Sequence, residues 1–147
     1  MFKSVNVLRL DNGKNVVESL AEYCEKKNIS SAIILGIIGS LGIVKFAVIK
    51  KGPPQVGGNE KFAEEIEQLP TIGWMVLSAQ GSLSTFEGQK KFHIHTALRS
   101  PYTEQMVGGH LIEAETFNTV EIYIGELPYQ LKQALDPKIG MPAVVST

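Results

Sequence analysis

The three histidines of this 147-residue chain fall in two short segments, His93-Ile94-His95 and Gly108-Gly109-His110, with His110 fifteen residues beyond His95. If the first segment is a strand, His93 and His95 point to one face with their backbones roughly 6–7 Å apart. Two imidazoles so placed can converge on one ion at about 2.0–2.1 Å, with His110 supplied from a neighbouring strand. The two glycines ahead of His110 let backbone pass close by. Three neutral imidazoles suit zinc first and other borderline first-row metals next. They leave a position for water or a ligand, the pattern of a catalytic or ligand-binding site. The ordinary alternative puts His93 and His95 on a solvated sheet face and His110 in a hydrogen-bonded core or turn position.

The elements that must position these residues can be read from periodicity. Phe92, Ile94 and Leu98 share one parity and His93, His95, Ala97 and Arg99 the other, the alternation of a half-buried strand. Arg99 is thereby a candidate to hold the carboxylate or phosphate of a metal-bound ligand, against the default of a solvated arginine. After a turn at Ser100-Pro101-Tyr102, a second strand through Gly108 to Ile112 puts His110, Ile112 and Ala114 on one parity and turns Glu113 away. Glu121, in the alternating strand Thr119 to Ile124, is a candidate to orient a histidine, with an edge charge as the alternative.

Elsewhere, Val5 to Leu10 predicts a strand ended by Asp11-Asn12-Gly13. Val16, Val17, Leu20, Ala21 and Cys24 recur at helical spacing, with Asn15 as N-cap, Glu18 three residues on, and Lys26, Lys27 and Asn28 closing the helix. Cys24 lies on the apolar stripe and reads as packing. Ser31 to Ile38 predicts a buried strand, and Gly39, Ser40 and Gly42 a tight hairpin into Ile43 to Lys50. The glycines of Gly36 to Gly42 do not form a phosphate loop, since the lysine is absent and no helix pattern follows. Gly52 to Gly58 reads as a surface loop, and Glu60 to Leu69 fits helix and strand equally. Trp74 to Ser78 predicts a strand anchored by the lone tryptophan, with a further strand from Ser82. In the tail, Tyr129, Leu131 and Leu135 suit a short helix before Asp136-Pro137, and Pro142 to Val145 an extended segment against a neighbour.

Composition bounds the function classes. A hydrophobic content of 44% over 147 residues supports one domain with a proper core. The formal charge of −1 and pI near 6.3 provide no general basic field for nucleic acid. The single cysteine cannot form an internal disulfide, and the first residues show no charged and apolar signal pattern, so a reducing cytoplasm is expected. No apolar run approaches the ~20 residues of a membrane span.

The ordered combination of these segments resembles the plant and prokaryote conserved (PPC) domain family, in its stand-alone prokaryotic and archaeal form. The resemblance is carried by Asn12 to Leu20, Ala32 to Gly42 and Val76 to Gly81, and above all by His93-Ile94-His95 with Val107 to Leu111 leading to Glu121. It covers about residues 3–126 of a single domain, 1–147, and leaves 127–147 as a C-terminal extension. It implies an α+β fold, a largely antiparallel sheet flanked by helices, associated as a homotrimer, and it favours the strand reading of Glu60 to Leu69. It further implies that His93, His95 and His110 match a metal site, zinc foremost, of archaeal and bacterial members. Plant members with AT-hooks use a related domain for trimerisation and transcription-factor partnering and typically lack this histidine set. This chain has the histidines and no Arg-Gly-Arg-Pro segment, so the minor-groove binding of the hook does not transfer.

Three functional readings remain, in which the trimer and the transcription partner are what the resemblance implies. The first is a trimeric zinc-binding domain that takes a small, anionic ligand or a partner, or uses metal-bound water in a hydrolytic or lyase step. No nucleophile and base pair, carboxylate dyad or cofactor motif stands out, so no catalytic residue is assigned. The second is a transcription-partner interaction module without catalysis. The third is DNA binding, which requires Lys45, Lys50, Lys51, Lys90 and Lys91 to form a patch across subunits.

Overall fold

The structure, a computed structural model, describes residues 1–50, 63–138 and 140–145. Its one helix among these residues, α1 (Val16–Lys26), starts where the sequence places it, with Asn15 Oδ1 accepting the Glu18 amide at 3.1 Å. Val16, Leu20 and Cys24 form its buried stripe, and Asn28 takes a left-handed φ of 56° just beyond its end. Burial of such a stripe is worth about 1.5–3 kcal/mol for each large apolar side chain, and here it fastens α1 onto the sheet. The resemblance implied several flanking helices; the described residues contain one.

The strands are β1 (Ser4–Asp11), β2 (Ala32–Lys50), β3 (Ala63–Leu69), β4 (Trp74–Phe86), β5 (Gln89–Arg99), β6 (Met106–Glu126), β7 (Gln133–Asp136) and β8 (Met141–Val144). The first six make an antiparallel sheet in the order β1-β6-β5-β4-β2-β3, while β7 and β8 form a separate hairpin. The long strand β6 also pairs with β2, so β6, β5, β4 and β2 close into a ring. Its interior, with α1 against β6 and β1, holds Trp74, Phe46, Leu20, Ile34, Leu83 and Ile94. Trp74 is the expected anchor, 1% exposed, with its indole N–H donating to the Pro70 carbonyl at 2.9 Å.

Four expectations are corrected. Gly39 and Gly42 do not reverse the chain, because 32–50 is one bent strand. Gly39 has φ 138°, and a Cβ there would meet the Thr119 carbonyl at 2.1 Å. Glycine is thus needed for β2 to lie close against β6, and register shifts around Gly36, Leu41 and Val44 absorb the bend. Likewise 74–86 is one strand, passing through Gly81 without interruption. A further shift between Lys45 and Phe46 leaves both Leu111 and Ala114 buried, so His110 and Ala114 do not share a face as strict alternation predicted. The tail forms the β7–β8 hairpin in place of a short helix, and Pro142 pairs with Leu135 of the same chain. The ambiguous segment before Leu69 is a strand over 63–69, paired with β2. The loop expected at Gly52 to Gly58 lies outside the described residues.

Candidate metal centre

Alternation along β5 buries Ile94 and Leu98 and leaves His93 and His95 exposed on the opposite face. Antiparallel pairing of β5 with β6 sets His110 directly across from His95. Close backbone approach makes this register feasible. A Cβ on Gly108 would meet the Thr96 carbonyl at 2.5 Å, and one on Gly109 the Ala47 carbonyl at 3.0 Å. On the other side of β5, a Cβ on Gly81 would lie 2.1 Å from the His93 carbonyl. Glycines thus hold β4, β5, β6 and β2 tightly around the histidine positions.

The imidazoles converge. Ring centroids are 4.7 Å apart for His93 and His95, 4.7 Å for His93 and His110, and 5.8 Å for His95 and His110. The two Nε2 atoms of His93 and His95 are 2.9 Å apart, and one ligand nitrogen from each of the three lies within 4.8 Å of the others. Nitrogens bound tetrahedrally at 2.0–2.1 Å sit roughly 3.3–3.4 Å from one another. The observed separations bracket that value, and ring rotation supplies the difference, so the donor set fits a zinc-class ion. The exposure of His93 and His95 leaves one side of such an ion open. By register Ser82 faces His93 and Gln80 faces His95 across the β4–β5 ladder. A cavity of about 460 Å³ adjoins His93 and His110.

The other two candidates are not brought to the histidines within one chain. Arg99 keeps the expected parity but stands four residues past His95, roughly 13 Å along a strand, beside Met75 and Met106. Glu121 lies on the far part of β6, paired with Arg9 and Ile38, where its carboxylate accepts the Tyr123 hydroxyl at 2.8 Å. That bond and the adjacent negative charge raise the Tyr123 pKa. Glu113, read as turned away, pairs with Lys45 at 2.7 Å. Of the five lysines a DNA patch would use, Lys45 is thus matched by an acid, and so is Lys90, at 2.8 Å from Glu25. Lys51 lies outside the described residues. Cys24 is packing, as read, and burial pushes its thiol up to about 11.

The cavity walls leave less trace in the sequence. Lys91 shares the parity of His93 and was legible as part of the site face. Gln133 was hidden because the pattern before Asp136 suggested a helix, and Pro142 because its extended segment was expected against a neighbour, whereas it pairs with Leu135 of the same chain.

With this geometry established, comparison with known proteins identifies the family. The model of the Plants and Prokaryotes Conserved (PCC) domain matches residues 2–128. The chain belongs to that family. Among solved structures, the PCC chain is similar to a metal-containing protein from Archaeoglobus fulgidus, with a TM-score of 0.80 and 24% identity over 99% of this chain and 96% of that one. A plant- and prokaryote-conserved protein from Pyrococcus horikoshii matches with a TM-score of 0.76 and 19% identity, covering 100% and 96% of the two chains. A Ralstonia eutropha protein provisionally described as DNA-binding matches with a TM-score of 0.75 and 20% identity, covering 96% and 90%. At these identities the likeness establishes the fold. No curated protein sequence matches the chain.

Proposed function

We propose that this PCC-domain chain binds one zinc-class divalent ion through His93, His95 and His110 and offers the remaining coordination position to a small anionic ligand. The observation that carries the reading is the convergence of all three of the chain's histidines, from two strands, to within 4.8 Å. The metal-containing description of the Archaeoglobus relative supports it. Such an ion supplies Lewis acidity to whatever oxygen it binds. The chain's own contribution is to hold three imidazoles on adjoining strands, packed closely through glycines, with the cavity adjoining His93 and His110. Metal analysis after chelation and reloading should find about one zinc ion per chain, and none in His110→Ala. A wild-type chain that takes up no divalent ion would overturn the reading.

The homotrimer belongs to the same proposal and rests on the sheet's outer face. Leu35, Ile38 and Leu77 are exposed there, bordering a depression of about 470 Å³ that includes Tyr123. An apolar surface of this kind marks an interface. Arg99 and Glu121 enter only as residues of the surface that subunits would share. Light scattering should give about three times the 16.1 kDa chain mass, and Ile38→Lys should give monomers. A monomeric wild type contradicts this part. The cytoplasmic placement likewise rests on there being a single cysteine, Cys24, which is free and buried.

The alternative, a DNA-associated or transcription-partner module, draws on the provisional descriptions of relatives such as the Ralstonia protein. Against it stand the net charge of −1 and the matched Lys45 and Lys90. Binding to random duplex with a steep salt dependence would favour it.

A further inference from the structure

The cavity beside the histidines has features that the metal reading does not use. On β5, Lys91 stands two residues before His93 on the same face, so the two side chains rise side by side roughly 6–7 Å apart. Among the described residues Lys91 makes no ion pair. Phe86 and Phe92 supply apolar wall, and the far wall comes from Gln133 and Pro142 of the β7–β8 hairpin. That hairpin lies beyond residue 128, where the family match ends. It is nevertheless fastened to the domain: the Thr85 amide donates to the Leu131 carbonyl at 2.9 Å and the Leu131 amide to Ser31 Oγ at 2.9 Å. The Val145 amide closes the hairpin onto the Lys132 carbonyl at 3.0 Å. The register pairs Ser84 with Lys91, and Ser84 is fully buried with its hydroxyl unpartnered. The volume of about 460 Å³ falls in the range of small-molecule sites.

We infer that this cavity is a pocket for a small monocarboxylate with an apolar arm. Its carboxylate is shared between Lys91 and the ion on the histidines, and its arm lies between Phe86, Phe92 and the Pro142 wall. The inference rests on the metal reading of His93, His95 and His110. The charge argues for an anion: a divalent ion and Lys91 together outweigh Glu87, the one acid lining the cavity among the described residues. The chemistry argues for a carboxylate, since a planar oxyanion can accept from an ammonium and reach a hard or borderline cation through the same pair of oxygens. The walls argue for the arm, because two phenyl rings and a proline leave a ligand such as acetate with most of the cavity unfilled. On this account the C-terminal hairpin sets the length of arm accepted.

Calorimetric titration of zinc-loaded protein with 3-phenylpropanoate and with acetate tests this. Phenylpropanoate should bind at least tenfold more tightly than acetate. Lys91→Met should weaken it about tenfold or more, and Lys91→Arg should restore most of the loss. Gln133→Trp, which fills the far wall, should reduce phenylpropanoate binding and spare acetate. All three variants should retain wild-type zinc content, measured on the same samples. Absence of zinc from every sample overturns the metal reading and the pocket with it. Zinc present, with phenylpropanoate no better than acetate or indifferent to Lys91→Met, overturns the pocket alone.

Discussion

Gly81→Ala tests the coupling between fold and site. A methyl group at Gly81 would sit 2.1 Å from the His93 carbonyl oxygen and 2.8 Å from Ile94 Cα, both backbone atoms that no rotamer change can move. To reach ordinary contact at about 3.4 Å, β4 and β5 must part locally by about 1.3 Å. The ladder bonds flanking Gly81↔Ile94 and Ser82↔His93 then stretch or break. At about 1 kcal/mol each, loss of two to four of them costs about 2–4 kcal/mol, a large share of a domain's usual 5–15 kcal/mol. The same movement carries His93 about 1 Å relative to His110, beyond the roughly 0.5 Å that a preorganised site tolerates, and should weaken zinc binding at least tenfold. Urea unfolding gives the first quantity and competition with a chromophoric chelator the second. Gly36→Ala is the control: its Cβ would meet nothing within 4 Å, and its effect should stay within about 0.5 kcal/mol. A Gly81→Ala chain as stable as that control, with full zinc affinity, would refute the close approach of β4 and β5 beneath His93.

Two further outcomes follow from ionisable groups. Hydrogen bonds from Lys3 at 2.6 Å and Ser4 at 2.7 Å hold the Glu126 carboxyl below its ordinary pKa, so its contribution is present above the usual carboxylate range and is lost as pH falls through the lowered value. Glu126→Gln should therefore lower the urea midpoint at neutral pH, the difference from wild type shrinking in acid; a difference that does not change with pH would contradict the assignment. Burial that lifts Cys24 to about 11 leaves almost no thiolate at neutral pH, so a disulfide reagent should label the native chain slowly and the denatured chain fast. Rapid labelling of the native chain would place the thiol on the surface.

Legibility in the sequence followed the range of the interaction. The helix start at Asn15 and the alternation across 92–99 depend on neighbours a few residues apart, and both were readable. Parity gave the face of His93, His95 and Arg99, and the four positions from His95 to Arg99 already set them roughly 13 Å apart along a strand, a separation that parity alone overlooks. The Gly39-Ser40-Leu41-Gly42 stretch has the composition of a turn, and only the approach of the distant Thr119 carbonyl makes it a bend within one strand. The slip that separates His110 from Ala114 depends on how β6 pairs with β2, and the tail hairpin on pairing between Gln133 and Val144; neither leaves a local signature. The convergence of His110 with His95 is also non-local. It was reached through the pairing of glycines with a histidine and through the family resemblance.

Zinc stoichiometry and affinity, measured on wild type and on His93→Ala, His95→Ala and His110→Ala, test the central claim most directly. The account predicts about one ion per wild-type chain, a loss of at least a hundredfold in affinity for each variant, and unfolding midpoints of the metal-free chains close to one another. Equal zinc binding in the wild type and all three variants, or none in any, would contradict it.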